Sequence, residues 1–95
     1  MEQKPYLFIT DPGHGWLQVE YSELVALGIE RDISAYSYRR GGLVYLEEDE
    51  DAGKFFRAKG WEAWPHELIR EVYQHTTPIR NYARYVPTRR EAVAC

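Results

Sequence analysis

The chain has one cysteine in 95 residues, and that cysteine is the last of them, Cys95. A single thiol can form neither an intramolecular disulfide nor a thiolate metal cluster, which fits a reducing compartment. Long apolar runs are also missing, and none approaches the ~20 residues that a membrane-crossing helix needs. The opening Met1-Glu2-Gln3-Lys4-Pro5 lacks the charged-then-apolar order of a secretion signal. The expectation is a soluble, cytoplasmic protein with no membrane partner.

Signatures of catalysis are scarce as well. Gly13-His14-Gly15 and Gly41-Gly42 do not have the spacing of a phosphate-binding loop. His66-Glu67-Leu68-Ile69-Arg70 begins like the zinc-protease pattern HExxH, but Arg70 stands where the second histidine must be. A guanidinium there would repel the ion, so no metal is expected. Asp11 and His14 share one tight turn, and an aspartate could orient an imidazole as a general base. No nucleophile is signposted beside them, although Ser22, Ser34 and Ser37 exist. The turn itself accounts for Asp11, because Asp side chains bond the backbone two residues on. A protein without enzymatic activity and without a cofactor is the expectation.

What the chain does have is aromatic surface and concentrated charge. Eight Tyr, three Trp and three Phe make up 15% of it, enough to serve a small core and a binding face together. Glu47-Glu48-Asp49-Glu50-Asp51 places five acids in succession, more than the whole formal charge of −3. Residues 52–95 carry eight basic and four acidic side chains, so the chain is electrically divided. One or two acids would suit a helix N-terminus. Five repel one another for no local benefit and can steer a cationic partner. Calcium fits poorly, because the run lacks the alternating ligands and central glycine of an EF-hand loop.

The pattern predicts a single α+β domain over residues 1–95. Tyr6-Leu7-Phe8-Ile9 and Trp16–Tyr21 flank the turn Asp11-Pro12-Gly13-His14-Gly15, which reads as a β-hairpin. A second hairpin is expected around Gly41-Gly42, since glycine reaches positive φ at little cost. Strands are predicted near 6–10, 16–20, 33–39 and 43–47. Helices are predicted near 22–28, 51–59 and 65–75, the last from Pro65, Leu68, Ile69, Val72 and Tyr73 at helical spacing. Residues 79–95 fit a helical stripe or an extended strand equally well. The resulting architecture is an antiparallel sheet of about four strands, made of two hairpins, with two to three helices on one face. The expected core is Leu7, Ile9, Leu17, Val19, Leu24, Leu27, Val44, Leu46, Phe55, Leu68, Ile69 and Val72.

Two binding surfaces suggest themselves. In the first, Glu47, Glu48, Asp49, Glu50 and Asp51 contact Lys and Arg of a protein partner with a basic surface, with Tyr36 and Tyr38 as aromatic anchors. In the second, Arg80, Tyr82, Arg84, Tyr85, Arg89 and Arg90 hold single-stranded nucleic acid, arginine meeting phosphate and tyrosine stacking on bases. The acidic run and the basic C-terminal segment could also pair between two copies in a homodimer.

The segments Ile9-Thr10-Asp11-Pro12-Gly13-His14-Gly15-Trp16-Leu17, Tyr36-Ser37-Tyr38 and Tyr45-Leu46-Glu47-Glu48-Asp49 resemble a family of small uncharacterised proteins of phages and plasmids. The likeness covers roughly residues 6–60, and the C-terminal third lies outside it. The resemblance implies a mobile-element context and action in the cytoplasm of a host cell. Small, acidic, non-enzymatic proteins in that setting include anti-CRISPR proteins, which block a host nuclease complex by occupying its nucleic-acid or partner-binding surfaces. On that implication the partner would be a host protein or nuclease complex.

Overall fold

Turn chemistry sets the two hairpins. In the computed structural model, which describes residues 6–88, β1 (Tyr6–Thr10) and β2 (Gly15–Glu20) flank the Asp11–His14 turn. The strands β3 (Tyr38–Arg40) and β4 (Leu43–Glu47) flank Gly41, whose φ of +59° a side chain would resist. Pairing of β2 with β4, with Leu17 opposite Leu46 and Val19 opposite Val44, joins the hairpins into one antiparallel unit.

Two more strands extend this unit, so the expected four-stranded antiparallel sheet is in fact six-stranded and mixed. Parallel to β1 runs β5 (Ile69–Tyr73), and β6 (Ala83–Arg84) pairs antiparallel with β3, giving the order β5-β1-β2-β4-β3-β6. The helices are α1 (Tyr21–Leu27) and α2 (Ala52–Lys59), each closed by a left-handed glycine, Gly28 and Gly60. Both lie on one face. Leu24, Ala52 and Phe55 pack there on Tyr6, Phe8, Leu17, Val19, Val44, Leu46 and Ile69.

The helix predicted over 65–75 does not form. Its Ile69, Val72 and Tyr73 suit a strand as well as a helical stripe, and β1 would otherwise offer an unpaired edge. Five β1–β5 residue pairs, Tyr6 with Ile69 through Thr10 with Tyr73, decide the competition. The strand predicted over 33–39 shrinks to its end. Residues 30–37 fold into turns because the Ser34 and Ser37 hydroxyls both reach back to Asp51.

The opposite sheet face carries a second apolar cluster, Ile9, Trp16, Tyr45 and Ile79, with Leu7, Tyr38, Leu43, Val72 and Tyr82 against it. A short 3₁₀ turn, Pro78–Asn81, brings Ile79 over this face. Thr77 starts that turn, its Oγ1 accepting from the Ile79 N–H at 2.9 Å. Of the expected core, Leu17, Val19, Leu24, Val44, Leu46, Phe55, Ile69 and Ile9 are buried, while Leu7, Leu27, Leu68 and Val72 are half-buried. Among the described residues no helix is long and apolar enough to cross a membrane.

Candidate binding site at the Trp16–Glu47 end of the sheet

Trp16 is the second residue of β2 and Glu47 the last of β4, and the register sets them opposite each other. Side chains alternate along a strand, so Tyr45 and Glu47 share the face away from the helices. Beside Glu47, a cavity of about 220 Å³ is lined by His14, Trp16, Tyr36, Tyr38, Glu47, Arg80 and Arg84.

The cavity's outer wall is built by the first turn. Asp11 Oδ1 accepts from the backbone N–H groups of Gly13 and His14, both at 2.9 Å. Its carboxylate also takes a two-pronged ion pair from Arg80, whose Nη2 lies 2.9 Å from His14 Nδ1. Arg80 holds the Asp11 carboxyl far below the usual carboxylate range; burial opposes this, and the Gly13 and His14 N–H groups assist it. The Arg80 guanidinium in turn lies 5.3 Å from the Trp16 ring centre, and the His14 ring stacks on Trp16 at 5.9 Å. Asp11 therefore grips backbone and Arg80, not the imidazole. The Asp–His geometry of a general base is not formed here.

Across the mouth, Arg84 sits 5.0 Å over the Tyr38 ring, with its Nη1 donating to the Ala35 carbonyl at 3.1 Å. Tyr36 stands at the rim, 62% exposed. Two groups in the site are left wanting. The Trp16 side chain is 1% exposed, and its Nε1–H has no hydrogen-bond partner among the described residues. Glu47 is 8% exposed, accepts one bond from the Glu50 N–H at 2.8 Å, and forms no ion pair among the described residues.

The acidic run divides. Asp51 is 0% exposed and belongs to the scaffold: Ser34 N–H, the hydroxyls of Ser34 and Ser37, and Lys54 Nζ all donate to it. Burial alone would raise the Asp51 carboxyl, but these four donors outweigh it and hold the group below its ordinary value. Glu47 turns into the cavity wall. Glu48, Asp49 and Glu50 are exposed on the turn between them.

The two expected surfaces meet instead of standing apart. Tyr36, Tyr38 and Glu47 from the first share the cavity with Arg80 and Arg84 from the second. Tyr82 lies outside it, half-buried against Tyr45 with the Arg40 guanidinium over its ring. Tyr85 is a core residue: its hydroxyl donates to the Glu30 carbonyl, and burial pushes it up to about 12. Arg89 and Arg90 lie outside the described residues. His14 and Trp16 were missing from both surfaces; the aromatic beside the Asp11–Gly15 turn was the available signal. His66 lies in a turn just before β5, with no helix to present it, and no group of three metal-ligating side chains comes together among the described residues.

Comparison with family models, with curated proteins and with solved structures finds no match.

Proposed function

We propose that this protein acts by binding, without catalytic turnover, and that its docking surface is the Tyr36 rim together with the Glu48–Glu50 turn. The observation that carries this reading is that three acids stand exposed directly after Glu47, whose cavity has Tyr36 on its rim. Exposed carboxylates set association rate and its salt dependence, whereas a large aromatic buried on contact sets residence time. The chemistry suits a basic protein surface. Together with the resemblance to phage and plasmid proteins, it supports an inhibitor or modulator of a host protein or nuclease complex in the manner of anti-CRISPR proteins.

A pull-down with the wild-type chain and with the triple variant E48Q/D49N/E50Q, at low and high salt, tests it. A basic protein should be retained by the wild type at low salt and lost from the variant. Equal retention by both chains would reduce the turn to solvated surface.

A second reading, single-stranded nucleic-acid binding, is favoured by Arg84 over Tyr38 and Arg80 beside Trp16, a pairing of cations with rings that also receives bases. Salt-dependent retention on oligonucleotides without guanine separates the two: protein docking through carboxylates expects none.

A further inference from the structure

The cavity at Trp16 and Glu47 holds both signs of charge, and this narrows what can enter it. A cation approaching Glu47 meets Arg80 and Arg84 on the same walls; an anion approaching the arginines meets Glu47. A neutral group escapes both repulsions. It must still answer a buried carboxylate without an ion-pair partner, which is costly to leave unmet, and the guanidinium N–H groups of Arg80 and Arg84 on the same walls. The occupant therefore needs a donor edge and an acceptor edge, and the rings of Trp16, Tyr36, Tyr38 and His14 ask that it be flat.

We propose that this cavity is a nucleobase pocket selective for guanine. Guanine alone among the common bases presents two adjacent donors, N1–H and the 2-amino group, which suit one carboxylate. Glu47 has the capacity, since an ionised carboxylate offers about four acceptor positions and the Glu50 N–H uses one of them. The opposite edge carries O6 and N7, the acceptors that arginine reads. Arg80 and Arg84 supply those donors. Tyr36, exposed at the rim, offers the base a stacking face.

A second, shallower cavity of about 320 Å³, lined by Ser34, Ala35, Tyr36 and Arg84, shares Tyr36 and Arg84 with the first. It gives room for a neighbouring sugar-phosphate or base. This pocket goes beyond docking through Glu48–Glu50 and does not depend on it.

The full chain is titrated with GMP, AMP, CMP and UMP, and with a short single-stranded oligouridine carrying one central guanosine, following tryptophan fluorescence. GMP and the guanosine-containing oligonucleotide should bind at least roughly tenfold more tightly than the other nucleotides and an all-uridine strand, the discrimination of one bidentate pair. Glu47→Gln should remove most of that preference. Tyr36→Ala, at an exposed position that leaves the fold alone, should weaken guanine binding roughly five- to hundredfold by loss of one stacking face. Tighter binding of the oligonucleotide than of GMP identifies a single strand as the source of the base, and equal binding identifies the free nucleotide. Equal affinity for all four nucleotides, no binding at millimolar concentration, or guanine binding unmoved by Tyr36→Ala overturns the proposal. The triple variant E48Q/D49N/E50Q should bind GMP as the wild type does, so failure of the docking reading and failure of the pocket remain separable.

Discussion

Arg80 holds the Asp11 carboxylate with two nitrogens, Nε at 2.9 Å and Nη2 at 3.1 Å, across 69 positions of sequence. The contact ties the first hairpin turn to the segment that covers the second sheet face. It also fixes the Arg80 guanidinium beside Trp16 and His14, and so sets one wall of the cavity.

Asp11→Asn should lower stability at neutral pH, and the deficit should shrink on acidification. The sign follows from the depressed Asp11 carboxyl. Its contribution is complete above the unfolded value of about 3.9 and is lost as pH falls through the lower folded value. Urea unfolding of both chains at several pH values between 7 and 2 checks this, with the two stability curves converging at the acid end. Parallel curves would show that the ion pair adds nothing to folding.

Asp51 is the most sensitive polar position in the fold. Asp51→Ala strands the donors of Ser34 and Ser37 and takes the ion-pair partner from Lys54, which keeps its bond to the Asp32 carbonyl, and should cost about 3 kcal/mol. Ser37→Ala, which also removes the acceptor of the Glu47 N–H, should cost about 1–3 kcal/mol. The two losses should fall short of additive in the double variant, because they share one hydrogen bond. Chemical denaturation of the four chains measures the coupling.

In the core, Phe55→Ala should cost about 3–5 kcal/mol. Its ring is fully buried and meets Tyr6 and Trp61 edge-on at 5.6 and 5.7 Å. Val25→Ala, on the exposed side of α1, should stay within about 0.5 kcal/mol. A thermal melt that moved both equally would contradict the placement of α1 and α2 on one sheet face.

Gly15→Ala and Gly42→Ala should differ sharply. A Cβ at Gly15 would stand 2.7 Å from Phe8 Cζ, inside the packed core, whereas one at Gly42 meets nothing within 4 Å. The first should cost about 1–3 kcal/mol through overpacking. The second should be near neutral. Equilibrium unfolding distinguishes them, and similar values would argue against the close approach of β2 to the Phe8 ring.

The hairpins were legible because glycine, proline and aspartate have local reasons to turn the chain between short runs of apolar, strand-forming residues. The acidic run was legible as charge but not as structure. Nothing local distinguishes Asp51, which Ser34 and Ser37 draw into the interior, from Asp49, which remains in water. Tyr85 likewise looked like a partner for bases and is a core residue, since only the β3–β6 pairing carries it inward.

Sequence by itself determined the α+β class, the two hairpins, the helices near 22–28 and 51–59 and the position of the charge, all of which rest on interactions within a few residues. Tertiary structure alone decided that 69–73 is a strand, because the free edge of β1 supplies hydrogen bonds that helical spacing cannot reveal. It also decided the cavity. Trp16 and Glu47 are 31 positions apart, and only the β2–β4 register makes them neighbours. Arg80 and Arg84 reach them from the far end of the chain, one through the 3₁₀ turn and the other through β6. Contacts of that range depend on the whole sheet closing, and no periodicity along the chain records them.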